Sequence, residues 1–147
     1  MSKMIGYMVT WTTYGSWLQG DERGYVKHGK IISGNPKILQ VCQKLQKSAS
    51  VKLDFEDKAI VRQAILNEAK RIGPTIEALA VCSNHVHLVA LPCQESIEQI
   101  VSRYKNVAMF ALRKHGQVSR IWARSFDKRF CFSQDDLNRR IEYVNKH

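Results

Sequence analysis

Two histidines lie two positions apart in the apolar run Ser83-Asn84-His85-Val86-His87-Leu88-Val89, which is the strongest chemical signal in the chain. Side chains on a β-strand alternate between its two faces. His85 and His87 therefore share one face, while Val86 and Leu88 point into a core on the other. Two adjacent imidazoles make half of a metal site if a third ligand comes from elsewhere in the fold. Taken alone, the pattern also fits a purely structural strand.

The end of the chain supplies a candidate third ligand and a candidate nucleophile. Tyr143 and His147 are four positions apart on a predicted helix and are therefore neighbours on one of its faces. They share that face with Arg139 and Arg140. A histidine one turn after a tyrosine is the arrangement expected of a metal ligand beside a nucleophile. On spacing alone, a half-buried tyrosine on an amphipathic helix and a frayed terminal histidine explain the pattern more simply.

A second tyrosine, Tyr104, is the rival nucleophile. It falls within the apolar stripe of the preceding predicted helix, so packing explains it well. Four basic residues of the same helix lie largely off that stripe: Arg103, Lys105, Arg113 and Lys114. They indicate either a solvated helix face or contacts to phosphate groups.

Composition narrows the class of protein. A chain of 147 residues forms one domain with a real core, and a net charge of +10 favours a polyanionic partner, nucleic acid first. A generally basic surface is the alternative. The first residues lack the pattern of a signal peptide, and no apolar segment approaches the roughly 20 residues that span a bilayer. The four cysteines form no C-x-x-C pair. We therefore expect reduced thiols in a cytoplasmic protein without membrane contact.

The order of predicted elements is β-α-β-β-α-β-α. The Asp54 and Asp57 pair predicts a capping box at the first helix, and Gly73-Pro74 predicts its end. The sequence pattern of residues 27–53 predicts secondary structure least clearly, and this segment is expected to be a variable insertion. The predicted ranges are strand 4–13, helix 55–72, strands 75–82 and 85–91, helix 95–115, one or two strands within 120–132, and a last helix from Ser133 to His147.

This order predicts an α+β fold of the ferredoxin-like kind, with helices covering one face of a mainly antiparallel sheet. The hairpin that carries His85 and His87 would lie in the middle of that sheet. The last helix could then cross the sheet close to the two histidines.

Several segments resemble one known family. His85-Val86-His87 is similar to the His-hydrophobic-His motif of the HUH endonuclease superfamily. Its surroundings resemble single-tyrosine transposases of the insertion-sequence-200 type, including the REP-associated tyrosine transposases. The segments Thr10–Leu18, Gly20–Gly24 and Ile141–Asn145 also look like members of this family. The resemblance covers nearly the whole chain, most weakly at 27–53.

The resemblance implies a mechanism. His85, His87 and the residue four positions after the tyrosine, His147, would hold one divalent cation, usually Mg²⁺ or Mn²⁺. Tyr143 would attack the scissile phosphate, form a covalent 5′-phosphotyrosine and release a 3′-OH. A 3′-OH from another DNA end would then reverse the step and join strands. Such a protein is a metal-dependent endonuclease and strand transferase.

Two features depart from the family pattern. Relatives often carry Gln or Asn as the third ligand, whereas this chain has His147. Three imidazoles suit Mn²⁺, Ni²⁺ or Zn²⁺ better than Mg²⁺. The sequence also stops at His147 with no cap or helix breaker, although relatives generally continue, so we expect a truncated C-terminus.

The resemblance also implies the partners. The expected substrate is hairpin-bearing single-stranded DNA in the nucleoid, held at phosphates by the basic residues of the last two helices, with splayed bases stacking on Trp17 or Trp122. Transposases of this type are commonly dimers, whereas REP-associated relatives act as monomers, and a homodimer is the expectation here. Two alternatives stay open. They are a non-catalytic basic DNA-binding module with the same fold, and a metalloenzyme of another class.

Overall fold

The computed structural model describes residues 3–16, 51–117 and 120–147. The variable insertion predicted at 27–53 falls almost entirely outside them. The described residues form the predicted order of strands and helices. The elements are β1 (Gly6–Thr12), α1 (Phe55–Ile72), β2 (Ile76–Val81), β3 (His85–Ala90), α2 (Ile97–Lys114), β4 (Asp127–Cys131) and α3 (Gln134–Asn145).

Helix α1 has the bounds that its capping residues predict. The Asp57 backbone N–H donates to the Asp54 side chain at 2.8 Å, and the Asp54 backbone N–H donates to the Asp57 side chain at 3.1 Å. The two bonds satisfy N–H groups that have no partner inside the helix. Gly73 ends the helix with φ 102°, a left-handed conformation that favours glycine.

The segment predicted as strand over 120–132 is shorter in the structure. Only Asp127–Cys131 joins the sheet, and Trp122 makes an isolated bridge to Thr13. The Lys105 ammonium donates to the backbone carbonyls of Ala123 and Arg124, at 2.8 and 3.3 Å. These two carbonyls therefore bond to a lysine from α2, a tertiary contact that the local sequence does not reveal.

The sheet has the order β2-β3-β1-β4, and every neighbouring pair is antiparallel. This is an α+β, ferredoxin-like arrangement, as predicted. The hairpin β2–β3 places β3 beside β1 in the middle of the sheet. In this pairing His87 lies opposite Thr10, and His85 lies opposite Thr12.

The two faces of the sheet are covered by different helices. Tyr7, Val9 and Trp11 of β1 belong to the core that α1 and α2 close. Met8 and Val89 belong to a second, smaller core, completed by Leu137 and Val144 of α3. The predicted one-sided cover thus holds for α1 and α2, while α3 crosses the opposite face over β2 and β3. Because side chains alternate along β3, His85 and His87 share the face of Val89 and look towards α3.

Helix α3 packs closely against the start of β1, at Gly6. A Cβ atom added at Gly6 would lie 2.6 Å from Leu137 Cδ1 and 3.3 Å from the Ala90 carbonyl oxygen. Gly6 therefore lets the first turn of α3 approach the sheet. Within the described residues, no helix is both long and apolar enough to span a bilayer.

The seating of α3 leads to a stability prediction. We expect Leu137→Ala to lower the free energy of unfolding by roughly 2–4 kcal/mol, because it removes a buried side chain that joins α3 to the sheet. Phe110→Ala is the control, since Phe110 is 57% exposed and should change stability by no more than about 0.5 kcal/mol. Urea denaturation followed by circular dichroism measures both. Equal effects of the two substitutions would contradict this account of the packing.

Candidate active site

Three histidines from two distant parts of the chain converge on the α3 face of the sheet. His85 and His87 come from β3, and His147 follows the end of α3. One ring nitrogen from each lies within 4.8 Å of the other two. The ring centroids are separated by 4.5 Å for His85 and His87, and by 4.8 Å for His87 and His147. Folding thus brings together the three imidazoles that the sequence singled out.

Tyr143 lies beside this cluster. Its ring centroid is 4.7 Å from that of His147 and 5.4 Å from that of His87. The side chain is 44% exposed, so a phosphodiester in solution can reach the phenol. The rival tyrosine, Tyr104, is fully buried in the core under α2, and burial raises its pKa. Packing therefore accounts for Tyr104, as the helical pattern suggested.

Each imidazole of the cluster has a hydrogen-bond partner at Nδ1. His85 Nδ1 lies 2.8 Å from Asn84 Oδ1, and His87 Nδ1 lies 2.8 Å from Thr10 Oγ1. His147 Nδ1 lies 2.8 Å from the Tyr143 carbonyl oxygen, one helical turn earlier. With Nδ1 occupied in all three rings, Nε2 is the nitrogen left to bind a cation. Partners of this kind orient metal-ligating histidines in proteins.

The environment keeps two of these rings neutral. Burial lowers the pKa of His87 to about 4, and the neighbouring His85 and His147 add to this effect. Burial, together with His147, also lowers the pKa of His85. Only the unprotonated nitrogen of a neutral ring binds a metal. Near neutral pH these two rings are therefore uncharged, as cation binding requires.

The donor set fits a divalent transition metal. Three imidazole nitrogens converge, the second nitrogen of each ring is hydrogen-bonded, and no carboxylate of the described residues joins the cluster. Imidazole donors suit Mn²⁺, Ni²⁺ and Zn²⁺, whereas Mg²⁺ prefers oxygen. The site thus has the chemistry of a three-histidine metal centre beside an exposed phenol.

The basic residues predicted on α2 are not brought to this site, because α2 covers the opposite face of the sheet. Arg103 forms a two-bond ion pair with Glu95, at 2.8 and 3.0 Å. Lys105 is half-buried, and burial lowers the pKa of its ammonium, which is bonded to backbone carbonyls. Arg113 and Lys114 are exposed in the last turn of α2.

Arg139 and Arg140 of α3 do lie on the side of the site. They precede Tyr143 by four and three positions, so they neighbour it on the helix surface. Arg139 is exposed and Arg140 is half-buried. These two cations are the members of the predicted DNA-binding set that the fold places next to the phenol.

The structure argues against base stacking on Trp122. Its side chain is 6% exposed and packs edge-to-face against Trp11, with ring centroids 6.0 Å apart. Its Nε1–H donates to the Lys105 carbonyl oxygen at 2.9 Å. Trp122 is thus a core residue, with no open ring face for a base. The other predicted stacking residue, Trp17, lies outside the described residues.

Sequence reasoning missed two charged residues on the same face of the sheet as the histidines. Asp127 pairs with Thr10 in the sheet register and Arg129 pairs with Met8, so both face the side of His87. The Arg129 Nε–H donates to Asp127 Oδ2 at 3.0 Å. The run Asp127-Lys128-Arg129 has charged side chains at three consecutive positions, so the sequence gives no sign of which of them meet the site, and only the register shows it.

Comparison with known proteins identifies the class. A family model described as "Transposase IS200 like" matches residues 38–147, which include all three histidines and Tyr143. The chain belongs to this family of transposases. A comparison with curated proteins finds no match.

Solved structures agree on the fold. A REP-associated tyrosine transposase bound to a REP hairpin superposes with a TM-score of 0.60 at 13% identity, over 98% of this chain and 67% of that one. An inferred transposase from Deinococcus radiodurans R1 gives a TM-score of 0.57 at 16% identity, over 99% of this chain and 92% of that one. At these identities the likeness concerns the fold alone.

The convergence of the three imidazoles predicts a cation site that can be measured without DNA. We expect titration calorimetry with Mn²⁺ or Zn²⁺ to detect one site per chain in the wild-type protein. His85→Ala and His87→Ala should abolish it, because two ligands do not hold the ion in place. His147→Ala should lower the cation affinity less, because His147 is exposed after the end of α3 and a water molecule can take its place.

His115→Ala is the matched control. His115 lies at the end of α2, where its Nε2 is 3.3 Å from a Glu56 oxygen. This substitution should leave cation affinity unchanged. Wild-type affinity in the His85 and His87 variants would mean that the pair is only a packed feature of the strand.

Proposed function

We propose that this transposase cleaves and rejoins single-stranded DNA through a covalent 5′-phosphotyrosine on Tyr143. The observation that carries the proposal is the exposed phenol beside three convergent imidazoles. A phenol that forms a phosphodiester with DNA keeps the energy of the broken bond. Strand joining then needs no nucleotide cofactor.

The bonds balance in each step. The Tyr143 oxygen attacks the scissile phosphorus and loses its proton. The bond from phosphorus to the 3′ oxygen breaks, and that oxygen leaves as a 3′-OH after taking up a proton. A 3′-OH from a second DNA end then attacks the phosphotyrosine, and the phenol is released. Each step exchanges one phosphodiester for another.

The protein's own groups prepare this chemistry. His85, His87 and His147 would hold the divalent cation, which supplies a Lewis acid for the phosphate oxygens when it is bound. The His147 ring bonds to the backbone carbonyl of Tyr143, so the third ligand is tied to the residue that carries the nucleophile. Since the phenol is exposed and sits on a helix surface, a single strand can lie across it without displacing the core.

The charge distribution supports DNA as the partner. Arg139 and Arg140 flank the phenol on α3, and Arg129 lies on the same face of the sheet. Together they would hold phosphates on either side of the scissile one. Hairpin-bearing DNA in the nucleoid of the cytoplasm is the proposed substrate, in line with the hairpin-bound relative. The homodimer stays a prediction, which analytical ultracentrifugation would decide.

The nucleophile assignment leads to a covalent-trapping prediction. With a single-stranded hairpin oligonucleotide and Mn²⁺, wild-type protein should form an adduct that survives denaturing electrophoresis, and Tyr143→Phe should form none. Loss of a covalent nucleophile in other enzymes costs up to roughly 10⁶-fold in turnover. DNA binding and stability should stay near wild type, because Tyr143 is exposed.

Tyr104→Phe is the control for this experiment. Its buried hydroxyl has no hydrogen-bond partner among the described residues, so its loss should leave both folding and the adduct intact. An adduct formed by Tyr143→Phe would overturn the assignment. DNA binding by wild-type protein with no adduct under any divalent cation would instead support the non-catalytic DNA-binding module.

The charge distribution also predicts how DNA binding responds to salt. For single strands the logarithm of affinity falls with the logarithm of salt by about 0.7 per neutralised phosphate. Four to six contacts would therefore give a slope of roughly −3 to −4 in fluorescence anisotropy titrations. We expect Arg139→Gln to weaken binding and to reduce the slope by about one contact. A hairpin-bearing single strand should bind more tightly than a perfect duplex of the same sequence.

Arg113→Gln removes the same charge from the opposite face of the sheet and is the control. It should change neither the slope nor the affinity beyond the small effect of net charge. If both substitutions weaken binding equally, the interface is not the α3 face. Equal binding and cleavage of hairpin and duplex would count against a single-strand transposase.

A further inference from the structure

We propose that Thr10 is a positioning residue of the cation site, which accepts the Nδ1–H of His87 and thereby turns the Nε2 lone pair of that ring towards His85 and His147. This inference rests on the cation site of the proposed function and deepens it. It concerns a residue on a different strand, 77 positions away from His87 in the chain.

The pairing of β1 with β3 places the two groups together. Thr10 lies directly opposite His87 in this antiparallel pair, so their side chains share one face. Thr10 Oγ1 is 2.8 Å from His87 Nδ1, and the two residues are only 6% and 7% exposed. A β-branched side chain on a central strand has few rotamers, which keeps the hydroxyl where the ring needs it.

The tautomer of the ring decides whether it can bind a cation at Nε2. A neutral imidazole carries one N–H, and the hydrogen bond at one nitrogen sets which form is present. His85 has a simple partner, because Asn84 Oδ1 only accepts and therefore requires Nδ1–H. The Thr10 hydroxyl can donate or accept. When it accepts, Nε2 of His87 is free to bind, and when it donates, Nε2 carries the proton and cannot.

Loss of the hydroxyl should therefore weaken cation binding specifically. Without Thr10 Oγ1, a buried Nδ1–H of His87 would have no partner, and that tautomer would become costly. The ring would favour the form with the proton on Nε2. Other proteins lose roughly 10- to 100-fold in metal affinity when such a partner of a ligating histidine is removed.

Thr12 is a matched control on the same strand. It lies on the same face as Thr10, pairs with His85 in the register and is 5% exposed. Its hydroxyl, however, donates to the Ser16 carbonyl oxygen at 3.3 Å. Replacing either threonine by valine removes one buried hydroxyl from β1. Only Thr10→Val removes a partner of a ligating ring.

The experiment compares Thr10→Val, Thr10→Ser and Thr12→Val by calorimetric titration with Zn²⁺ and Mn²⁺ in the absence of DNA. We expect Thr10→Val to lose roughly 10- to 100-fold in affinity. Thr10→Ser keeps the hydroxyl and should stay within about threefold of wild type, as should Thr12→Val. Circular dichroism and thermal denaturation verify that each variant is folded.

A spectroscopic readout adds a test that does not rely on measured affinity. Long-range nitrogen–proton NMR spectra of the metal-free proteins should show His87 protonated at Nδ1 in wild type and at Nε2 in Thr10→Val. Wild-type affinity in Thr10→Val, or an equal loss in Thr12→Val, would overturn the proposal. So would a His87 protonated at Nε2 in the metal-free wild-type protein, even if Thr10→Val did not fold.

Failure of this inference can be told apart from failure of the proposed function. If the wild-type protein binds Zn²⁺ and forms the Tyr143 adduct while Thr10→Val binds normally, only the role of Thr10 is lost. If the wild-type protein binds neither cation, both the cation site and the role of Thr10 fall.

Discussion

The antiparallel register between β1 and β3 is the constraint on which the rest of the site depends. It sets His85 against Thr12 and His87 against Thr10, with both rings on one face of the sheet. A shift by one residue would move every side chain of β3 to the opposite face, and the imidazoles would enter the main core. Val86 and Leu88, fully buried under α1 and α2, oppose such a shift because it would expose them. The same apolar residues that build the core therefore also orient the two imidazoles.

The two faces of the sheet differ in role: one carries the main core, and the other carries the candidate site. Helices α1 and α2 close the larger core and make the sheet a firm support. In the part of the chain that the structure describes, helix α3 alone covers the other face, through a small set of buried residues that includes Leu137 and Val144. Both the phenol and the third imidazole depend on this one helix. The geometry of the site is thus coupled to how firmly α3 is seated, more than to the stability of the main core.

The net charge of this protein overstates the number of cations that are available to bind a polyanion. The chain carries a formal charge of +10, yet two of the four cations of α2 have partners within the protein. Arg103 is paired with Glu95, and Lys105 is bonded to two backbone carbonyls. The cations of α3 lie beside the phenol instead. Position relative to the sheet, and not the count of basic residues, selects the side on which a polyanion would be bound and cleaved.

Local interactions allowed much of the fold to be predicted from the sequence alone. The capping box at Asp54, the left-handed Gly73 and the apolar periodicity fix the bounds of α1, because each involves residues within a few positions of one another. The alternation of β3 likewise placed His85 and His87 on one side. Helical spacing made Tyr143 and His147 neighbours, although only the resemblance to a family favoured them over simple packing.

Tertiary structure decided what those residues meet. The sequence does not show that α3 crosses the face opposite α1 and α2, that His147 reaches the pair on β3, or that Thr10 bonds to His87. It also suggested a stacking role for Trp122 and a phosphate contact for Lys105. In the structure the Trp122 indole instead donates to the Lys105 carbonyl oxygen, and the Lys105 ammonium donates to the Ala123 carbonyl oxygen. These outcomes depend on strand register and on contacts between residues far apart in the chain. Periodicity tells which way a side chain points within its own element, but only the packing of elements determines its partner.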